Sequence, residues 1–348
     1  MKYKNILITG GAGFVGGNLA VYLKRKYPRV RVFALDNLIR RGSELNLPRL
    51  KEAGVKFIRG DARYLKEKEL KFDIDLVLDC SAEPSVTAGY NDPAYVIDTN
   101  LTGTVKCLEL CRKRKADMIF FSTSRVYPYK KINAISRRET KTRFQWRRIK
   151  GIDADFSLSG AKTLYGTTKL ASEFILQEYI ASYGIKGVVN RCGVLAGPWQ
   201  FGKVDQGVFT YWMLAHYFKR PLKYIGFGGK GKQVRDLLHI DDLCRLTDLQ
   251  INNLAKINGN IYNAGGGREA SLSLLEATSL CREITGNKVK IGSDKSNRPG
   301  DIAIYLTDNQ KVTRDLKWSP QKSTENIMND IFNWIRANEK SLKGLAGS

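Results

Sequence analysis

Thr9-Gly10-Gly11-Ala12-Gly13-Phe14-Val15-Gly16-Gly17, set directly behind the apolar run Asn5-Ile6-Leu7-Ile8, decides the fold of this chain. A buried strand, a glycine turn and the opening of a helix follow one another in that order. Each glycine has its own expected task. Gly11 permits the tight turn, Gly13 lets a pyrophosphate approach the backbone, and Gly16 lets the helix pack against the strand. A pyrophosphate placed there meets free N–H groups and the positive end of the helix dipole. A second apolar run, Val30-Arg31-Val32-Phe33-Ala34-Leu35, ends at Asp36. An acidic residue about 20 positions beyond the glycines is placed to hold an adenosine ribose.

Further apolar segments recur at 56–59, 76–80, 118–122 and 188–191, with amphipathic stretches at 16–26, 94–115 and 165–183 between them. Strands alternating with helices predict an α/β fold, a doubly wound parallel sheet with right-handed crossovers. Ligands bind such sheets at the carboxyl ends of the strands. Polar or small residues cluster at those ends: Asp36-Asn37, Gly60-Asp61-Ala62, Cys80-Ser81-Ala82-Glu83 and Ser122-Thr123-Ser124-Arg125. From about residue 191 the pattern turns irregular, with a helix expected at 239–255 and a short strand at 261–264. The expected division is a nucleotide-binding domain over 1–190 and a smaller, partly interleaved C-terminal domain over 191–348. Residues 236–264 partly return to the first.

The chain has 348 residues, of which 43% are hydrophobic, enough for a full core and against disorder. No apolar stretch reaches membrane-spanning length, and the N-terminus enters a strand at once without a signal peptide, so a cytoplasmic protein is expected. Six cysteines are scattered without a Cys-x-x-Cys pair, which predicts reduced, buried thiols and no metal site. The net charge of +24 admits nucleic-acid or membrane binding. The basic runs are separated and no nucleic-acid motif accompanies them, which favours a solvated surface suited to an anionic small-molecule substrate.

Tyr165-Gly166-Thr167-Thr168-Lys169 is the second decisive segment. Tyr and Lys four apart share one helix face. An ammonium beside a phenol favours the phenolate and lowers its pKa from about 10 toward neutrality. Such a phenol takes a proton from a sugar hydroxyl as hydride leaves. The two histidines, His216 and His239, form no Ser-His-Asp arrangement.

Taken together, the glycine loop, Asp36, Asp61, Ser122-Thr123 and Tyr165…Lys169 resemble the extended short-chain dehydrogenase/reductase family, in its nucleotide-sugar epimerase and dehydratase branch. The string Gly231-Lys232-Gln233-Val234-Arg235-Asp236-Leu237-Leu238-His239 continues the resemblance, which covers nearly the whole chain. It implies a Rossmann-type fold, NAD as cofactor and Thr123, Tyr165 and Lys169 as the catalytic set. The implied cofactor contacts are Gly10, Gly13, Phe14, Val15, Gly16, Asp36, Asn37, Asp61, Ala62, Ser81, Ala82, Glu83, Asn100 and Ser122, with Tyr165 and Lys169. On the substrate side it implies Ser124, Gln200, Gln206, Arg235 and Arg298. A planar guanidinium suits a diphosphate.

Within the branch, Ser124-Arg125 stands where the dehydratases carry an Asp-Glu pair. Arg191-Cys192-Gly193-Val194 lacks the Asn usual in carbon-4 epimerases. The Gln200-Phe201 and Asp205-Gln206-Gly207 elements are similar to those of CDP-sugar 2-epimerases. The implied reaction is transient oxidation at carbon 2 of a CDP-hexose, followed by hydride return to the other face. A UDP-hexose 4-epimerase stays open beside it, as does a non-catalytic RNA-binding or redox-sensing protein on the same fold. The expected partner is a nucleotide-diphosphate sugar, with no nucleic acid or membrane, in a homo-oligomer (dimer or tetramer).

Overall fold

The computed structural model describes residues 1–202 and 206–343. Strand β1, Asn5–Thr9, is buried along its whole length, as an apolar run in a doubly covered sheet requires. Helix α1, Phe14–Lys26, follows the glycine turn and ends on Lys24, Arg25 and Lys26, cations suited to the negative end of its dipole. Next come β2, Arg31–Asp36, β3, Lys56–Arg59, and β4, Leu76–Asp79. Helix α2, Gly103–Arg114, leads to β5, Asp117–Thr123. Helix α3, Leu164–Tyr183, is capped at its start by the Thr163 hydroxyl and stopped by Gly184 in the left-handed conformation (φ 68°). Strand β6 is Gly187–Cys192, helix α4 Ile240–Asn253 and strand β7 Ile261–Ala264.

These seven strands form one sheet in the order β7-β6-β5-β4-β1-β2-β3. The pairs β1–β2, β1–β4, β2–β3 and β4–β5 run parallel. Chain order reverses between β1 and β4, which makes the carboxyl ends of these two strands the switch point where such sheets bind ligands. Registers Thr9↔Leu35 and Thr9↔Asp79 bring the ends of β1, β2 and β4 level. The order is that of a Rossmann-type sheet.

The helix expected unbroken over 94–115 is interrupted. Pro93–Ile97 is α-helical, Asp98–Thr102 is one π-helical turn, and only then does α2 begin. Periodicity does not reveal one extra residue in a turn, because the apolar face resumes beyond it. His239 ends a strand, Val234–His239, rather than opening the helix after it.

The chain divides into two compact units. The first comprises 1–126, 163–191 and 243–262, and the second the remainder. Residues 127–162, read from sequence as part of the first domain, therefore belong to the second unit. Their hairpin, Arg137–Glu139 with Phe144–Trp146, explains why. Phe144 N–H donates to the Lys232 carbonyl at 2.9 Å, and Arg143 Nε donates to Glu276 at 2.7 Å. The second unit has its own core, built from Phe209, Trp212 and Met213 of helix Val208–Tyr217 and Ile327, Ile331 and Trp334 of helix Thr324–Ala337.

Candidate active site

In the first unit the tight turn after β1 falls on Gly10, which alone of the loop glycines adopts positive φ (60°), and not on Gly11. A Cβ at Gly11 would lie 2.6 Å from the Ala34 Cα, so this glycine is required by the neighbouring strand. At Gly16 a Cβ would run into the Gly10 carbonyl, which is the close helix–loop packing expected of it. A Cβ at Gly13 would meet nothing but that same carbonyl, at 3.1 Å. The first turn of α1, with Phe14 and Val15, holds no acidic residue. Its N–H groups have no partners within the helix. An anion-accepting helix start beside an uncluttered glycine backbone fits a dinucleotide pyrophosphate.

Asp36 lies at the end of β2 beside this loop. Its carboxylate accepts from Ala12 N–H at 3.0 Å and Leu38 N–H at 2.8 Å. Burial pushes its pKa up from the ordinary carboxylate value, against the pull of those N–H groups. Asp61 is differently placed. The Arg63 guanidinium bonds it at 2.8 and 3.0 Å and holds its carboxyl down at about 2. Asn37 donates to the same carboxylate at 2.8 Å, so Asn37 and Asp61 form one bonded pair at the ends of β2 and β3. Ala62 is buried beside it in the short turn that Asp61 caps.

Ser81, Ala82 and Glu83 follow β4, half-buried. The side chain of Asn100, an expected cofactor contact, is wholly buried. Its carboxamide accepts from Glu83 N–H at 2.8 Å and donates to the Glu83 carbonyl and the Thr168 hydroxyl, each at 3.2 Å. From inside the π turn, Asn100 thus ties the loop after β4 to helix α3.

Thr123 ends β5, Ser124 opens the turn behind it, and Tyr165 and Lys169 lie one turn apart near the start of α3. Gly166 brings these elements together, since a Cβ there would overlap the Arg125 carbonyl. Lys169 is 1% exposed, its ammonium 4.2 Å from the Phe120 ring centroid, while Tyr165 is only half-buried. Two residues of this site were missed from sequence. Glu173, one turn beyond Lys169, is fully buried and accepts from the Ser122 hydroxyl. Arg191 of β6 bonds Glu173 at 2.8 and 3.0 Å. The spacing Tyr165, Lys169, Glu173 and a charged residue inside an apolar strand were the available signals.

In the second unit, Arg235 donates to Asp301 at 2.9 Å, and Asp301 N–H donates to the Arg298 carbonyl at 3.2 Å, so the two arginines belong to one bonded segment. Gln200 donates to the Leu195 carbonyl at 2.9 Å and accepts from the Thr210 hydroxyl at 2.6 Å, so its carboxamide shapes the loop. Gln206 immediately precedes Gly207, which opens helix Val208–Tyr217, and Asp205 lies outside the described residues. Among the described residues no group of His, Cys, Asp or Glu could hold a metal ion. No helix among them is long and apolar enough to cross a membrane. None of the six cysteines is joined in a disulfide, and five of them are buried.

Comparison with known proteins places this geometry. The model of the NAD dependent epimerase/dehydratase family matches residues 6–265. A CDP-paratose 2-epimerase of Salmonella typhi is 30% identical, over 94% of this chain and 98% of its own. A dTDP-glucose 4,6-dehydratase of Mycolicibacterium smegmatis is 26% identical over 96% of this chain and 94% of its own. Among solved structures, a UDP-glucuronic acid 4-epimerase from Bacillus cereus, in complex with UDP-glucuronic acid and NAD, superposes with a TM-score of 0.81. It is 27% identical and covers 96% of this chain and 99% of its own.

Proposed function

We propose, from its membership of the NAD dependent epimerase/dehydratase family, to which this chain belongs, that the protein inverts carbon 2 of a CDP-hexose. Membership makes it an NAD-dependent enzyme of nucleotide-sugar chemistry. The carbon and the base are the added reading. When bound, NAD supplies a hydride acceptor that returns the hydride within the same turnover.

The remaining work falls to this chain's own residues. Tyr165 takes the proton of the reacting hydroxyl and gives it back, acting as general base and then general acid. Lys169, buried one turn along the same face, favours the phenolate form of Tyr165. Thr123 donates a hydrogen bond to the reacting oxygen as charge develops on it. Arg235 and Arg298 hold the diphosphate, for which planar guanidinium groups are well shaped. Asp36 accepts the adenosine ribose hydroxyls and repels a 2′-phosphate, which selects NAD over NADP.

The observation that carries the reading is Ser124-Arg125 directly behind Thr123. Neither side chain is the acid that elimination of water needs. Full-length similarity to a CDP-paratose 2-epimerase supports the same carbon and base. The test is incubation with CDP- and UDP-hexoses in deuterated water, followed by NMR. Inversion at carbon 2 of a CDP-hexose without deuterium at that carbon is the expected result. Inversion at carbon 4 of a UDP-hexose would replace this assignment, and deuterium at the inverted carbon would replace hydride return with deprotonation.

A further inference from the structure

Beneath the candidate site lies a carboxylate to which the mechanism assigns no task. Asp79 ends β4 and is 0% exposed. Its Oδ1 accepts from the Thr9 hydroxyl at 2.6 Å and the Ser81 hydroxyl at 2.9 Å. Its Oδ2 lies 2.9 Å from the Thr104 hydroxyl, whose single proton is shared with the Asn100 carbonyl, also at 2.9 Å. Two hydroxyl groups aimed at Oδ1 suit a carboxylate acceptor. A charge without water around it requires a nearby opposite charge.

That opposite charge lies on the same face of the sheet. Asp79 is the register partner of Phe120 across β4–β5, and paired residues of parallel strands point to one side. The Lys169 ammonium lies 4.2 Å from the Phe120 ring centroid on that side. Cys107 of α2 senses both groups. Burial drives its thiol well above the ordinary value, Asp79 drives it further up, and Lys169 opposes. The other titratable or charged groups of this region are Cys111 of α2, Tyr165 and Glu173 of α3, Glu83 of the loop after β4, Asp117 of β5 and Arg191 of β6. Glu173 and Arg191 neutralise each other at 2.8 Å, and Asp117 is bonded by Tyr3 at 2.6 Å. β1 contributes only Thr9.

We propose that Asp79 is a positioning residue that supplies the counter-charge to Lys169 and thereby sets the pH at which the Tyr165–Lys169 pair releases its protons. The proposal rests on the reading of Tyr165 and Lys169 given above. Tyr165 and Lys169 titrate as one coupled system, so an anion nearby raises both of its steps and removing that anion lowers both. The geometry also gives Asp79 a mechanical task, since Thr9 immediately precedes Gly10 of the cofactor loop.

The test titrates the NAD-loaded protein by ultraviolet phenolate absorbance, with the Tyr165→Phe protein subtracted to isolate Tyr165. Asp79→Asn keeps size and an acceptor oxygen but removes the charge. The Tyr165 midpoint is expected to fall by about 0.5 to 1 pH unit, the effect of one unit charge across a partly screened interior. Both limbs of the activity profile should move the same way. Thr104→Val removes one hydroxyl donor and leaves the charge, so it should lower the melting temperature without moving the midpoint. Should Asp79→Asn not fold, Asp79→Ser retains an acceptor for Thr9 in a smaller volume and is read identically. A Tyr165 phenolate whose midpoint ignores loss of the Asp79 charge overturns this proposal alone. A wild-type protein with no phenolate below the ordinary tyrosine range overturns the Tyr165 reading and this proposal with it.

Discussion

Gly166 and the Arg125 carbonyl are packed so closely that no side chain fits between them. This approach sets the first turn of α3, which carries Tyr165, against the turn Ser124–Val126 directly behind Thr123. Gly166→Ala must push α3 away from that turn. Misplacement of a reacting group by about 1 Å costs on the order of 10²-fold in rate. The variant should therefore lose kcat on that scale, while NAD affinity, set by the glycine loop, stays near wild type. Steady-state kinetics together with NAD titration check it, and an unchanged kcat would mean that the approach does not position Tyr165.

Tyr165→Phe removes one oxygen atom and leaves the helix intact. It should fold, retain bound NAD and lose about 10²–10⁴-fold in turnover. Single-turnover assays on the purified holoenzyme read this directly, and near-normal turnover would take Tyr165 out of its assigned part.

Glu173→Gln leaves Arg191 as a buried cation with a neutral partner. Breaking a buried pair from one side costs about 3–5 kcal/mol. Replacing both by apolar residues of similar volume should cost less than either single change. Urea unfolding of the single and double variants measures the difference.

Asp61 gives a pH dependence with a definite sign. Its carboxyl stands at about 2 when folded because Arg63 bonds its charged form, against 3.8 ordinarily. The stability this pair contributes is complete above about pH 4 and is lost as pH falls toward 2. Asp61→Asn should be less stable than wild type at pH 7, by about 1–2 kcal/mol. The gap should narrow when unfolding is repeated at pH 3. A gap that stays constant with pH would show that hydrogen bonding, not charge, is what Arg63 contributes.

Arg235→Ala and Arg298→Ala should raise KM for the nucleotide sugar more than they lower kcat, because a diphosphate is held alike in the ground and transition states. Arg235 is paired with Asp301 in this structure at 2.9 Å, so Asp301→Asn should also alter KM. An equal fall in kcat for both arginine variants would place them at the reacting carbon instead.

Local chemistry made much of the first unit legible. β1, β3 and β7 have the ends that their apolar runs suggest, Thr123 closes β5, and Tyr165 and Lys169 lie one turn apart on α3. What escaped the sequence depends on long-range pairing. The assignment of 127–162 to the second unit rests on Arg143–Glu276 and Phe144–Lys232, contacts between distant segments that no periodicity announces. The π turn around Asn100 was hidden because its flanking helices preserve a common apolar face. The buried carboxylates Asp79 and Glu173 read as ordinary polar residues until their hydroxyl and guanidinium partners are seen.

The chain passes between its two units at 126/127, 162/163, 191/192, 242/243 and 262/263. No single cut can therefore release either unit as one continuous piece. A truncation at the point where the sequence pattern changes, near 191, would remove residues 243–262, with most of α4 and the first half of the edge strand β7, from the first unit and leave 127–162 without its partners. Nor can the ribosome deliver a finished nucleotide-binding half early, because the first unit is completed only when residue 262 has emerged. Engineering by domain exchange with a relative would require swapping three segments at once, and limited proteolysis should give nicked, still-associated fragments rather than a separable half.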